Sequence, residues 1–294
     1  MIQQLYTTVD TIIVGRFVGK AALASVGGPA AVLSTIVVTF FNGLANGAAV
    51  IIAQYYGAKD RKSLHVGLHT AYLFSIVISL IVSLVGTVLT PWLLTIMNTP
   101  QDMMADSTIY LRIYFMGILF TLVYNMGAAI MRAVGDSRRP LLYLLDCCVM
   151  NIILDIVMVV GMKMGIAGAA LATVISQCVS AILVTWSLTR AYDAMKLKFR
   201  ELRMDARVLK KELKIGVPGA LQACAYGVTN VVIQASVNSF GTDTAAGWAA
   251  YGKLDLIFWT VSSALGAAVT TFAGQNYGAG KMDRVYTVSY THLT

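Results

Sequence analysis

The sequence predicts an all-α protein, a polytopic bundle of helices that span a membrane. Of its 294 residues, 57% are hydrophobic and 12% are charged, and the mean hydropathy is +0.72. An ordinary soluble protein has about a quarter of its residues charged. Several apolar stretches reach the roughly 20 residues that a helix needs to cross a bilayer. Strands of a membrane barrel would be about half as long and would alternate in polarity, which is not the pattern here.

Eight apolar stretches are predicted to be spanning helices, and the prolines lie near their limits. The stretches are 1–15, 29–55, 64–90, 108–132, 140–162, 166–189, 214–239 and 247–275. The prolines are Pro29, Pro91, Pro100, Pro140 and Pro218. Proline is typical of helix ends because it lacks a backbone N–H. The first stretch contains Asp10 and has no basic start, so we interpret it as a helix whose beginning is missing and not as a signal peptide.

The distribution of positive charge predicts the orientation. The turns on one side hold 17 of the 22 Lys and Arg residues, and these turns are 57–63, 132–139, 190–214 and 278–284. Cytoplasmic loops of membrane proteins are rich in Lys and Arg. We therefore expect a multi-pass protein of the inner (plasma) membrane with its basic loops in the cytoplasm. The same rule accounts for most of the net charge of +8, so no nucleic-acid partner is predicted.

A motif occurs twice and indicates an internal duplication. Gln54-Tyr-Tyr-Gly-Ala58 recurs as Gln275-Asn-Tyr-Gly-Ala279, 221 positions later, and each copy closes an apolar stretch. A duplication of this size in a membrane protein is typical of a two-lobed transporter. The charged segment 190–214 separates six predicted helices from two. We interpret this segment as an amphipathic linker, most simply a solvated surface helix.

Aspartates inside the spans are candidate functional residues, because a carboxylate in hydrocarbon is costly. Asp10, Asp155 and Thr173 belong to three different helices, and their predicted depths of ~8 to 12 Å below the outer surface are similar. Asn151 lies one turn deeper than Asp155 on the same helix face. These four residues are predicted to form an oxygen-rich site for a proton or a hard cation such as sodium.

Other polar residues in the spans have weaker signals. Asn42, Gln177, Lys253 and Asp255 are candidates for a substrate cavity. Aromatic residues flank the last two, which form either part of such a cavity or an interfacial cluster. Asp146 is expected to lie near the cytoplasmic end and either to snorkel to the surface or to pair with a loop cation. His65 and His69 have a spacing that can bind zinc, but no carboxylate or thiol accompanies them, so no metal site is predicted. No nucleophile elbow or phosphate-binding loop occurs, so no enzyme and no organic cofactor are predicted.

The sequence resembles the multidrug and toxic compound extrusion (MATE) family, in its bacterial branch related to the DNA-damage-inducible transporters. The resemblance lies in Leu5–Arg16, Ala22–Gly27, Gln54–Ala58, Arg132–Pro140, Asn151–Asp155, Gly165–Gln177, Gly216–Pro218 and Gly274–Ala279. It implies two six-helix lobes that export cationic or amphipathic compounds in exchange for H⁺ or Na⁺. It also assigns Asp10, Asn151, Asp155 and Thr173 to the cation site of the first lobe. Gln222-Ala-Cys-Ala225 stands where some relatives carry the glutamate of a second site.

The resemblance also implies a division of the chain. We expect residues 1–189 to form the N-terminal six-helix lobe with a truncated first helix, and 190–213 to form a cytoplasmic basic linker. Residues 214–284 would supply the first two helices of the C-terminal lobe, whose last four helices are lacking, and 285–294 would be a non-native tail.

The sequence thus predicts a secondary active multidrug efflux antiporter, with a small-molecule substrate and the lipid bilayer as its partners and a monomeric state at full length. A flippase for lipid-linked saccharides is the alternative within transport. A structural membrane subunit and a membrane-embedded lipid enzyme are the alternatives from other classes. The aspartates at matched depth favour transport.

Overall fold

The computed structural model describes residues 13–191, 195–238 and 242–293, most of which are helical. The helices are α1 (Lys20–Ser25), α2 (Ala31–Gly57), α3 (Arg61–Ile96), α4 (Gln101–Ala133), α5 (Arg138–Asp155), α6 (Gly165–Thr189), α7 (Ala206–Asn238), α8 (Thr242–Gly278) and α9 (Met282–Leu293). One π-helical turn, Val26–Ala30, joins α1 to α2, and another, Ile156–Gly161, continues α5. No strand occurs in these three ranges, so the all-α prediction is confirmed.

Local sequence explains where the first helices bend and begin. The π turn before α2 has the sequence Val-Gly-Gly-Pro-Ala, and Gly28 departs from helical geometry there with φ −93° and ψ −115°. The chain turns sharply after α2 through Lys59, whose φ is 57°. The carboxylate of Asp60 then accepts a hydrogen bond of 3.1 Å from the backbone N–H of Ser63. This cap satisfies one of the free N–H groups at the start of α3.

Two prolines lie inside helices, contrary to the predicted limits. α3 continues through Pro91 to Ile96, and α7 begins at Ala206 and contains Pro218. The interpretation of these two prolines as helix boundaries is therefore wrong. Proline is tolerated inside membrane helices because neighbouring helices and polar side chains satisfy the backbone groups that it frees.

The polarity of α3 is that of a helix in lipid. Its buried face carries small and polar side chains such as Ser75, Ser79 and Gly86, whereas Leu84 and Val88 on its outer face are 69% and 65% exposed. Within the described residues, five helical segments are long and apolar enough to cross a membrane. They are Ala22–Gly57, Arg61–Ile96, Gln101–Ala133, Arg138–Gly161 and Gly165–Thr189. This pattern supports the predicted membrane bundle.

Helix α4 forms the centre of the first six helices, and α3 lies at their periphery. The most apolar window of α4 is 67% buried, whereas that of α3 is 22% buried. α4 packs against α2, α3 and α6. Its buried side chains include Phe115, Ile118, Leu122 and Met126. Helix α6 therefore packs directly on the central helix, and α5 packs on α6.

Helices α7 and α8 pack on α2 through residues without large side chains. A Cβ atom on Gly43 would lie 2.6 Å from the backbone nitrogen of Ala220, and one on Gly216 would lie 2.9 Å from the Cα of Leu44. Contacts this short leave room for a hydrogen only. Small residues at such positions are typical of closely packed membrane helices.

The two copies of the repeated motif meet at the ends of α2 and α8. A Cβ atom on Gly57 would collide with the carbonyl oxygen of Gln275, and one on Gly278 would collide with that of Gln54. The side-chain amide of Gln275 also donates a 2.8 Å hydrogen bond to the carbonyl of Ala133 at the end of α4. We call this side, where the four basic turns lie, the basic end of the bundle.

The segment between α6 and α7 is a strap held against α3, and its interpretation as a solvated surface helix is wrong. The described part of the strap, 195–205, contains only the short 3-10 turn Phe199–Glu201. The backbone N–H of Lys198 donates a 3.0 Å hydrogen bond to Nε2 of His69, and that of Asp205 donates a 3.1 Å bond to the hydroxyl of Thr70. Leu197 is buried in the core. These contacts hold the strap in place.

Candidate functional site

Helix α5 places two polar side chains inside the bundle. Cys147, Asn151 and Asp155 recur every four residues and are buried, with Asn151 1% exposed and Asp155 fully buried. Val149 and Ile153 on the opposite face are more than half exposed. A period of four residues keeps side chains on one face of a helix. The polar face of α5 therefore points inward and its apolar face outward.

Helix α6 supplies a second polar stripe. Thr173, Ser176, Gln177 and Ser180 are all buried. The hydroxyls of Thr173 and Ser176 donate hydrogen bonds of 3.1 Å and 2.6 Å to the carbonyls of Ala169 and Ala172 in their own helix. A hydroxyl that donates to the backbone keeps its oxygen lone pairs for another partner. The stripe can therefore offer oxygen ligands.

Two contacts fix the antiparallel register of α5 and α6. The hydroxyl of Ser180 donates a 3.1 Å hydrogen bond to the carbonyl of Tyr143. Near the other end of the pair, a Cβ on Gly168 would lie 3.2 Å from the carbonyl of Met158. Thr173 is therefore level with Asn151. Asp155 lies one turn away along α5, a rise of ~6 Å.

The polar atoms of this cluster are shielded from solvent. No described residue forms a hydrogen bond with the side-chain amide of Asn151. Burial of an amide without a partner is costly, so its oxygen and nitrogen are available to a bound species. The π turn begins directly after Asp155, and π turns in α-helices are frequent at functional sites.

Asp10, the fourth predicted member of the cation site, lies outside the described residues. Asn151, Asp155 and Thr173 lie on packed neighbouring helices, and the assignment of all four to one site stays a prediction. Asp146, expected to pair with a loop cation, is exposed on α5. It lies on a different face from Asn151 and is therefore not part of the buried cluster.

The substrate-cavity candidates lie in three different places. Asn42 lines a cleft of about 300 Å³ between α2 and α7, together with Thr39, Asn46 and Ile215. Gln177 is 3% exposed within α6 and does not line this cleft.

The remaining two candidates are on α8. Asp255 accepts a hydrogen bond of 3.2 Å from the hydroxyl of Tyr251. The ring of Tyr251 lies 5.2 Å from that of Trp248, and Trp259 meets Tyr226 of α7 edge to face at 4.9 Å. A carboxylate among aromatic rings suits an organic cation. The side chain of Lys253 lies outside the described part of the chain.

The two histidines of α3 hold the strap. Nδ1 of His69 lies 2.8 Å from the carbonyl of His65, and its Nε2 accepts from Lys198, so both ring nitrogens are engaged. This pattern fixes the neutral tautomer with the proton on Nδ1. Nε2 of His65 lies 3.0 Å from a carboxylate oxygen of Glu201. The described residues contain no group of three or more metal-ligating side chains.

Sequence reasoning missed three of the buried polar residues. Ser176 and Ser180 continue the stripe of Thr173 at spacings of three and seven residues, a signal that could have found them. Glu212 of α7 is only 3% exposed. No sequence signal marks it, since it stands among Lys210, Lys211 and Lys214 in a segment interpreted as solvated.

A bundle of membrane helices with a polar interior and a cleft between helix groups is characteristic of a membrane transporter. The MatE family model matches residues 1–157 and 218–294. The chain belongs to this family, which confirms the resemblance found in the sequence.

Relatives and solved structures agree with this assignment. The chain is 33% identical over 291 residues to the probable multidrug resistance protein YpnP of Bacillus subtilis (strain 168) and 29% identical over 294 residues to YoeA, described likewise, of the same strain. Each match covers 97% of this chain and 63% of the relative, so the chain spans less than two thirds of the length of these relatives.

Solved MATE structures share the fold. One described as MATE in the straight conformation matches with a TM-score of 0.86 at 21% identity, over 98% of this chain and 64% of that one. An outward-facing multidrug resistance MATE family transporter matches with a TM-score of 0.85 at 22% identity, over the same shares. The predicted MATE-like fold is therefore confirmed.

Proposed function

We propose that this chain forms part of a secondary active multidrug efflux antiporter, which exports cationic or amphipathic compounds in exchange for H⁺ or Na⁺. The observation that carries the proposal is the buried pair Asn151 and Asp155 beside the stripe of Thr173. A carboxylate at such a position in a membrane protein is costly, and its usual role is to bind an ion or a proton. Membership of the MatE family supports the transport class.

Asp155 is the residue that takes up the coupling ion. Its carboxylate can accept a proton, or it can bind Na⁺ together with the oxygens of Asn151 and Thr173, since hard cations prefer several oxygen ligands. Asp10 would complete the site. Transport needs no covalent chemistry and no cofactor besides the coupling ion.

The contact of α2 with α7 and α8 is the part that would open and close. At the basic end the helices touch through glycines, and nearer the middle they enclose the cleft lined by Asn42 and Asn46. The basic end faces the cytoplasm by the positive-inside rule. The conformation described here is then closed to the cytoplasm, and the antiporter acts as a monomer in the plasma membrane.

The aromatic cluster of α7 and α8 supports an organic cation as the substrate. Tyr226 and Trp259 pack edge to face, Tyr251 lies beside Trp248, and Asp255 supplies a negative charge next to Tyr251. Attraction between a cation and an aromatic face is worth ~0.5 to 2 kcal/mol and does not need a fixed ligand shape. A site of this kind accepts many lipophilic cations.

Ethidium transport by the product of the complete gene tests the proposal. The transport is measured in everted vesicles with an imposed H⁺ gradient and, separately, with an imposed Na⁺ gradient. We expect one of the gradients to drive ethidium transport. We expect the Asp155→Asn substitution to abolish this gradient-driven transport. Asp146→Asn is the matched control, because this carboxylate lies on the same helix but is exposed. Undiminished gradient-driven transport by Asp155→Asn would overturn the assignment.

A further inference from the structure

Glu212 is a buried carboxyl group that the proposed ion site does not use. It lies six residues into α7, on the face that packs against α2, and it is followed on that face by Gly216 and Ala220. A Cβ on Gly47 of α2 would lie 2.5 Å from the backbone carbonyl of Glu212. The residue therefore belongs to the stripe of α7 along which the two helices touch.

The carboxyl group of Glu212 has no partner among the described residues. Both carboxyl oxygens are buried and neither forms a hydrogen bond. The adjacent cation, Lys211, points elsewhere, with its Nζ 3.4 Å from the hydroxyl of Tyr55. An ionised carboxylate in such surroundings would lose its hydration without compensation.

Among the described residues, no charged side chain of the helices around α7 forms an ion pair with Glu212. α2 has no charged residue over Ala31–Gly57, and its titratable groups are Tyr55 and Tyr56. The titratable groups that α3 and α8 bring to the basic end are Arg61, Lys62, His65, His69 and Tyr277. None of these residues forms a hydrogen bond or an ion pair with Glu212.

We propose that Glu212 is a proton-binding site of the α2–α7 contact, which takes up a proton when the basic end closes and releases it when the helices separate. Closing dehydrates the group and favours the neutral carboxylic acid. Opening lets water reach it and favours the carboxylate. A lone carboxyl group offers too few oxygens for a metal cation, so the ligand is a proton.

The direction of the pH effect follows from burial. Glu212 lies ahead of the predicted span 214–239, and burial raises the pKa of its carboxyl group to about 8. Because the pKa is raised in the closed form, protonation stabilises closure at low pH. That stabilisation is lost as the pH rises through about 8.

The inference rests on the proposed function in one respect, namely that α2 and α7 separate during a transport cycle. If the basic end faces the cytoplasm, opening releases the proton there. The protonation state of the closed form does not depend on Asp155.

The first test is a carbon-13 NMR titration of the detergent-solubilised chain. Glu201 and Glu212 are its two glutamates, so labelling at Cδ gives two carboxyl signals, which Glu201→Gln assigns. We expect the Glu212 signal to titrate near pH 8. Glu201 should titrate in the acidic range, because hydrogen bonding from Lys198 lowers its pKa. A Glu212 titration at the ordinary glutamate pKa would overturn the proposal.

The second test follows the helix contact itself by spin-label distances. Labels are attached to Tyr56→Cys on α2 and Lys210→Cys on α7, both exposed, in the product of the complete gene without its native cysteines. We expect the distance to lengthen between pH 6 and pH 9 in the parent and to stay short in Glu212→Gln. Glu212→Met replaces Glu212→Gln if the latter does not fold, and Glu201→Gln is the control.

The outcomes separate the two proposals. A distance that changes with ethidium but responds to pH equally in the parent and in Glu212→Gln overturns the role of Glu212 and leaves the transport proposal standing. A distance that responds to neither ethidium nor pH contradicts the opening of the basic end, and both proposals then fail.

Discussion

The buried carboxyl groups of Asp155 on α5 and Glu212 on α7 differ in their surroundings. Asp155 shares its face of α5 with Asn151, which is level with Thr173 of the hydroxyl stripe of α6. Glu212 lies between small residues at the contact of α7 with α2 and has no polar neighbour within bonding distance among the described residues.

The two environments suit two different ion-binding roles. A carboxylate among amide and hydroxyl oxygens can exchange a proton for a metal cation and can remain charged, because its neighbours replace water. A carboxyl group between apolar helices must be neutral while they touch. The first environment suits a coupling site, and the second suits a sensor of helix contact.

A positively charged side chain at the α2–α7 contact is expected to have the largest effect on stability. Glu212→Lys would bury an ammonium group without a partner against α2. An unpaired buried ion costs several kcal/mol, so we expect a large drop in the thermal midpoint in detergent. Glu201→Lys, at an exposed position, is the control. A stable Glu212→Lys variant would mean that α2 and α7 do not close around this residue.

The tightness of the contact is tested next by a single methyl group. Gly216→Ala would place a Cβ 2.9 Å from the backbone of Leu44, and overpacking of this kind costs about 1 to 3 kcal/mol. Gly219→Ala, one turn further along α7, meets nothing within 4 Å and should leave the midpoint unchanged or raise it, because alanine favours a helix more than glycine does. Equal effects of the two substitutions would contradict the close contact.

Detaching the strap from α3 is expected to have a smaller effect on stability. His69→Phe removes the acceptor of the Lys198 N–H, and loss of a hydrogen bond of this kind costs about 0.5 to 1.5 kcal/mol. The strap should detach locally, so trypsin should cut after Lys196 or Lys198 faster than in the parent. His65→Phe removes only a contact to the exposed Glu201 and should change the cleavage rate less.

The contribution of the polar cluster to ion binding is tested through the hydroxyl of Thr173. Thr173→Val keeps the shape but removes an oxygen, with a stability cost under about 1 kcal/mol because, among the described residues, the hydroxyl bonds only to its own helix. If the hydroxyl binds the coupling ion, affinity for that ion should fall roughly 10- to 100-fold, by analogy with losses around metal ligands. Thr173→Ser keeps the hydroxyl and should retain the affinity for the coupling ion. The check is the concentration of H⁺ or Na⁺ at half-maximal ethidium transport.

Hydropathy and periodicity were sufficient to predict the helical membrane fold and the inward face of α5. The polar residues of α5 recur every four positions between lipid-facing apolar ones, and such a pattern is visible without a structure. The repeated motif likewise marked the ends of α2 and α8, although its direct contact through Gly57 and Gly278 needed the structure.

The errors arose where tertiary packing overrides local sequence. Pro91 and Pro218 lie inside helices because neighbouring helices stabilise the interrupted backbone. The strap is charged, yet His69 and Thr70 of α3 fix its backbone. Glu212 stands in a run of lysines, and its burial depends on α2, more than 150 residues earlier in the chain.

The measurement that tests the central claim most directly is the number of ions released when ethidium binds to the purified product of the complete gene. Antiport requires the substrate and the coupling ion to compete. We predict that ethidium displaces H⁺ or Na⁺ from the parent protein and from Asp146→Asn, and that Asp155→Asn binds ethidium without releasing either ion. Ion release of the same size from Asp155→Asn would contradict the claim that the buried cluster of α5 and α6 binds the coupling ion.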